Sequence, residues 1–225
     1  MYPKQLAALK AVEYVQNDMI VGLGTGTTAY YAIEKLGELV KDGLQIRTVS
    51  SSLASSNQAA AAGIPQAGMI EISGIDIYID GADEVDDACN LVKGGGGALT
   101  REKILAYNSR QFIVIVDDSK LSKTLGRFPV AVEMVPFGFN LAIPHLEALG
   151  CKAKVRQLED RFYKTDNGNW IIDCQFETIP DPEHLEKALH AIPGVVECGL
   201  FSHTWVDIVI SANEEGNTRI LRPSL

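Results

Sequence analysis

The 225-residue sequence has few of the residue spacings that announce a metal or disulfide framework. Its four cysteines, Cys89, Cys151, Cys174 and Cys198, are widely separated and form no C-x-x-C pair. His145, His184, His190 and His203 are scattered in the same way, so no metal site is read from the sequence. Most of the cysteines are expected to be buried thiols in a reducing compartment. No apolar run is long enough to span a membrane. Near the amino terminus Lys4, Lys10 and Glu13 interrupt the apolar residues, so a signal-peptide core is missing and a cytoplasmic location is expected. Basic residues are the minority, 20 Lys and Arg against 29 Asp and Glu, for a net charge of −9. That balance argues against nucleic acid, whose phosphates are bound by basic surfaces. It leaves room for a small phosphorylated ligand, which needs only a local cluster of donors. What is present is ordinary for a folded protein: 46% hydrophobic and 22% charged residues, in a length that fits one large or two modest domains.

Residues 3–16 carry Leu6, Leu9, Val12 and Val15 at helical intervals. A short buried strand follows at 19–24, then Thr25, Gly26, Thr27 and Thr28, then helical spacing from Ala29 to Leu36. Strand, glycine-threonine turn and helix form an arrangement that cradles phosphate, because amides and hydroxyls point at the anion. A threonine capping the helix with no ligand is the alternative. A dinucleotide fingerprint starting at Gly22 would need glycine at position 27, where Thr27 stands, and no P-loop lysine is present. The next strand, 45–49, ends in Ser50, Ser51 and Ser52 where a dinucleotide-binding protein would place a ribose-binding acid. A nicotinamide cofactor is therefore disfavoured.

A helix over 53–63 leads to the densest stretch of chemistry, Asp80 to Lys103. The alternation of Ile75 to Ile79 makes a strand and puts Asp80, Gly81, Ala82 and Asp83 at its carboxyl end, the edge where open α/β sheets bind ligands. Lys93 and the run Gly94, Gly95, Gly96, Gly97 come next; glycine lets backbone approach a ligand closely. From Ala98 the composition is helical, so Glu102 falls in the first turns of a helix whose dipole favours anions. Phe112 to Val116 is a continuous apolar run suited to a strand buried on both faces. It delivers Lys120 to the same edge, either to hold phosphate or to solvate a loop.

From Phe128 the rhythm changes to a strand at 130–135, a helix at 141–149, a strand at 152–156, and a hairpin of 163–165 with 170–174 about the turn 166–169. A helix at 182–192 and a strand at 194–198 complete a β-α-β-β-α-β order. Trp205 to Ile210 reads as a strand returning to the first sheet. The fold class is thus α/β, a Rossmann-like doubly wound parallel sheet with a smaller ferredoxin-like α+β domain. The expected division is 1–127 with 203–225 against 128–202.

Together, Gly24 to Thr28, Asp80 to Glu84, Lys93 to Gly96 and Leu99 to Lys103 resemble the ribose-5-phosphate isomerase A family, and the similarity runs over essentially the whole chain. The resemblance implies interconversion of ribose 5-phosphate and ribulose 5-phosphate through an enediol, in the non-oxidative pentose phosphate pathway, without cofactor or metal. It also implies a homo-oligomer, dimer or tetramer. Glu102 matches the family's base, and Asp80, Asp83 and Lys93 its other polar catalytic groups. Thr25, Gly26, Thr27, Thr28, Asp80, Gly81, Ala82, Asp83, Lys93, Gly94, Gly95, Gly96 and Lys120 match its substrate-binding positions. The chemistry fits these types: a carboxylate moves the proton between neighbouring carbons, a cation steadies the enediolate oxygen, and Asp80 is the candidate to open the sugar ring. Thr27 stands where serine is frequent in the family, and Gly97 where alanine is frequent, which is expected only to loosen a mobile loop. A sugar-phosphate-sensing domain of the same fold could dispense with Glu102 and Lys93. An acyl or CoA transferase would need a site for a large nucleotide.

Overall fold

The computed structural model describes residues 2–223. In the first half of the chain the helices are α1 (Pro3–Val12), α2 (Thr27–Lys41), α3 (Leu53–Ala61) and α4 (Leu99–Tyr107). The strands there are β1 (Ile20–Leu23), β2 (Arg47–Ser50), β3 (Ile77–Gly81), β4 (Glu84–Val85), β5 (Leu91–Val92) and β6 (Phe112–Asp117). The second half adds helices α5 (Phe139–Glu147) and α6 (Pro182–His190). Its strands are β7 (Val130–Met134), β8 (Lys152–Val155), β9 (Gln157–Leu158), β10 (Arg161–Phe162) and β11 (Trp170–Gln175), then β12 (Val195–Cys198), β13 (Leu200–Phe201), β14 (Ile208–Ala212) and β15 (Thr218–Leu221).

The chain divides into two compact units. One takes the residues up to Ala82, Arg101–Lys120 and those from Thr204 onward; the other takes Asp83–Thr100 and Leu121–His203. In the first unit a six-stranded sheet runs in the order β15-β14-β6-β3-β1-β2. All neighbours are parallel except the β14–β15 pair at one edge. Residues Phe112 to Val116 of β6 are buried, which is why they read as an unbroken apolar run. Ala7, Ala8 and Ala11 of α1, Ile33 and Leu36 of α2, and Val21, Ile77, Ile113, Ile115 and Ile210 of the sheet share one core. Helix α1 ends at Val12, short of the expected 16, because the Tyr14 and Val15 amides bond three residues back to Ala11 and Val12. The strand order reverses between β1 and β3, and such a reversal leaves the loops after those two strands bordering a crevice at the carboxyl edge.

In the second unit an antiparallel sheet runs β12-β7-β11-β8, so its first strand in sequence lies between the fourth and the third, the ferredoxin-like arrangement. Val130, Val132, Ile172, Cys174 and Cys198 of this sheet pack with Leu146 of α5 and Leu189 of α6. The expected hairpin of 163–165 with 170–174 reduces to a single bridge between Lys164 and Trp170; β11 pairs chiefly with β7 and β8. A separate hairpin, β9–β10, was not legible locally.

The units differ from the expected division in two segments and at His203, which falls in the second unit. Residues 83–100 join the second unit because Leu91 and Val92 of β5 pair with Phe201 and Leu200 of β13. Residues 121–127 join it because the buried Glu84 carboxylate accepts from Ser122 Oγ at 2.7 Å, Gly126 N at 3.1 Å and Phe128 N at 3.0 Å.

Candidate active site

In the first unit the site grows from side chains that β3 projects onto one face. Residues two apart on a strand share a face, so Tyr78 and Asp80 point the same way. Both are fully buried. Glycine on β1 makes room for them: a Cβ on Gly22 would lie 2.6 Å from the Tyr78 ring, and one on Gly24 would lie 2.0 Å from Asp80 Oδ1. The G-x-G of β1 therefore serves the approach of β3 side chains. Asp80 Oδ1 accepts from Thr25 N at 3.0 Å and Gly81 N at 2.7 Å. Its Oδ2 accepts a short hydrogen bond from the Tyr78 hydroxyl. The carboxylate thus ties the loop leaving β1 to the end of β3.

The serines after β2 complete this core of hydroxyls. Thr25 Oγ1 lies 2.7 Å from Ser51 Oγ, 2.8 Å from Ser52 Oγ and 3.3 Å from Ser55 Oγ, and Ser55 Oγ donates to Gly24 O at 2.6 Å. The Thr25 hydroxyl is therefore committed inward. Among the described residues no side chain caps α2: its N-cap is Gly26, with φ of 108°, so neither Thr25 nor Thr27 plays the capping role. The open amino end of a 15-residue helix keeps its first amides available to an anion. Thr27 Oγ1 accepts from Lys4 Nζ at 3.1 Å, and a Cβ on Gly81 would sit 3.8 Å from Thr28 Cβ, so Thr28 borders the end of β3.

Glu102 lies in the first turn of α4 and is 2% exposed. Its charge reaches the same cluster. Burial pushes the Tyr78 phenol well above its ordinary value, and the negative charges of Asp80 and Glu102 add to that, while a Ser51 hydrogen bond works the other way. Tyr78 consequently stays a protonated donor to Asp80. Lys120 closes the 3-10 turn Asp118–Lys120 that follows β6.

In the second unit Lys93 is buried, its amide donates to Gly199 O at 2.8 Å, and its Nζ lies 5.5 Å from the Phe201 ring centroid. Gly199 is needed there, since a Cβ would come 2.1 Å from Lys93 O. Asp83 Oδ2 accepts from Gly95 N at 2.7 Å. The glycine run is held from several sides. Arg156 donates to Gly94 O at 2.7 Å and Gly95 O at 3.2 Å while pairing in a fork with Asp173, and Tyr163 Oη donates to Gly96 O at 3.2 Å. Gly97 does more than loosen this loop. Its φ is 79°, and a Cβ would meet Tyr163 Oη at 2.2 Å.

Of the expected residues, hydrogen bonds join Asp80, Thr25 and Gly81 in one unit, and Asp83 and Gly95 in the other. Sequence reasoning missed Tyr78, Ser51, Ser52, Ser55, Arg156 and Tyr163. The two-residue strand period could have flagged Tyr78 as the partner of Asp80. Arg156 stands more than sixty residues from the carbonyls it holds, with no local signal.

The profile of the family described as ribose 5-phosphate isomerase A (phosphoriboisomerase A) matches residues 47–216. Among curated relatives, the ribose-5-phosphate isomerase A of Picrophilus torridus is 51% identical over 200 residues, 89% of this chain and 89% of its own. That of Listeria innocua serovar 6a is 44% identical over 220 residues, 97% of this chain and 98% of its own. Among solved structures, a D-ribose-5-phosphate isomerase in complex with phospho-erythronic acid aligns with a TM-score of 0.94 at 40% identity, covering 99% of this chain and 100% of that one.

Proposed function

The chain belongs to the ribose-5-phosphate isomerase A family, and we propose that it interconverts ribose 5-phosphate and ribulose 5-phosphate with Glu102 as the proton-shuttling base. The observation that carries the assignment is a buried carboxylate in the first turn of α4 whose charge acts on Tyr78, the donor to Asp80 at the end of β3. Starting from the aldose, Glu102 takes the proton from C2 as the C1 carbonyl becomes an enediolate oxygen. The O2 proton passes to O1, and the proton on Glu102 returns to C1, leaving the ketone at C2. No electrons leave the substrate, so the proton transfers need no redox cofactor.

The amides at the open end of α2, with Thr28, are our candidates for the phosphate. Asp80, buried and accepting from three donors, acts in this account as a positioning residue that fixes the Thr25 turn. Lys93 is assigned the enediolate oxygen and Asp83 the sugar hydroxyls on the strength of the family pattern, with Asp83 also fixing Gly95. A cytoplasmic homo-oligomer, dimer or tetramer, completes the proposal; sedimentation of the purified chain tests the assembly. Among the described residues no helix is long and apolar enough to cross a membrane.

The decisive experiment replaces Glu102 with Gln, which keeps shape and removes basicity. Turnover should fall about 100-fold or more, the scale of general acid-base catalysis, while substrate still binds. Wild-type product formed in deuterium oxide should carry solvent deuterium at the carbon that receives the proton. Near-normal turnover in Glu102→Gln would move the base elsewhere.

A further inference from the structure

The second unit gathers four metal-ligating side chains that the sequence keeps apart, and none of them is assigned to the isomerase reaction. Glu186 and His190 stand four residues apart on α6, so they project from one face of that helix. Glu197 and Cys198 end β12, an edge strand of the four-stranded sheet. One ligand atom from each of the four lies within 4.8 Å of the others. His190 Nε2 is 2.8 Å from Glu197 Oε1, which also accepts from Cys198 N at 2.8 Å. The Cys198 thiol belongs to a fully buried residue, while His190 is 36% exposed, so the cluster has a sheltered sulfur and an open approach. Consecutive strand residues ordinarily face opposite ways. Here Glu197 and Cys198 pair in regular register with Glu133 and Val132, and the Glu197 carboxylate curls back onto the Cys198 amide, which brings its oxygen into the group.

We propose that Glu186, His190, Glu197 and Cys198 form a structural site for one zinc-like divalent ion that clamps α6 to β12. Sulfur, imidazole and two carboxylates suit a thiophilic borderline cation far better than magnesium or calcium, which prefer oxygen alone. Bonds of about 2.0–2.3 Å in a tetrahedron put donors about 3.3–3.8 Å apart, so separations as wide as 4.8 Å would close by about 1 Å while the 2.8 Å His190–Glu197 contact opens. Four protein donors fill a tetrahedral shell, which marks a structural rather than a catalytic ion. On binding, the thiol and the imidazole give up any proton they hold to solvent.

The test uses the full chain, dialysed against a chelator and then freed of it. Zinc titration by calorimetry should give one ion per chain, and zinc should raise the melting temperature because it binds the folded form. Cobalt(II) should give a thiolate-to-metal charge-transfer band and the intense visible bands of tetrahedral coordination. His190→Ala, at a partly exposed position, should weaken binding about 10-fold or more while leaving isomerase turnover unchanged. Cys198→Ser should remove the thiolate band; if that variant fails to fold, His190→Ala alone decides. Absence of saturable binding, cobalt binding without the thiolate band, or affinity unchanged by His190→Ala overturns the proposal.

Discussion

Tyr78→Phe isolates one hydroxyl in the candidate site. The ring is fully buried and stacks on Phe112 with centroids 4.9 Å apart, contacts that phenylalanine keeps. What is lost is the hydrogen bond to Asp80 Oδ2, leaving that buried oxygen without this donor, together with the hydroxyl's hydrogen bond with Ser51. A hydrogen bond to a charged group contributes about 1.5–3 kcal/mol. For a chain of this size that lowers the melting temperature by roughly 3–12 °C. Alkaline pH gives a second readout with a definite sign. The folded-state pKa of Tyr78 lies well above the ordinary 10.0, so below that value neither state ionises and the residue adds no pH dependence. Above it the unfolded chain ionises first and stability falls with rising pH, at up to about 1.4 kcal/mol per pH unit from this one group, until pH passes the folded-state pKa. Urea denaturation of both proteins from pH 8 to 11 should therefore show a steeper alkaline decline in the wild type. Turnover should also fall, since Asp80, which accepts from the Thr25 amide, loses its Tyr78 donor. Equal stabilities at pH 8 together with equal alkaline slopes would refute the view that Tyr78 is a buried donor to Asp80.

Thr28→Ala should raise KM about 5- to 100-fold with little change in kcat, as expected for one lost charge-assisted contact to phosphate; an unchanged KM removes Thr28 from the phosphate site. Asp80→Asn tests positioning against ring opening: if Asp80 chiefly fixes the Thr25 turn, closed-ring and acyclic substrates lose turnover equally, and a loss confined to the closed ring would restore the ring-opening role. Arg156→Ala removes the fork to Asp173 and the bonds to Gly94 O and Gly95 O, so it should cost about 2–3 kcal/mol and lower kcat. Arg156→Lys should restore little because an ammonium cannot reproduce the planar fork, and full rescue would argue for simple charge.

Much of the architecture was legible because its signals are local. The apolar run at Phe112 to Val116, the glycine-threonine turn after Leu23 and the helical spacing from Leu99 each express a period or a backbone preference within a few residues. Those signals also placed Asp80 at a strand end and Glu102 at a helix start, where the structure has them. Element ends were less legible, since capping and turn bonds such as those of Tyr14 and Val15 compete with propensity. Tertiary structure alone decided the rest. Thr27 already breaks the nucleotide fingerprint, but what Gly22 and Gly24 are for shows only when β3 is laid beside β1 and Tyr78 and Asp80 fill the space their missing side chains leave. Ser51, Ser52 and Ser55 look like a polar turn until Thr25 is brought among them. The grip of Arg156 on Gly94 and Gly95, and the meeting of Glu186 and His190 with Glu197 and Cys198, join different elements. No local period encodes such meetings; they follow from how sheets and helices pack to bury their apolar faces.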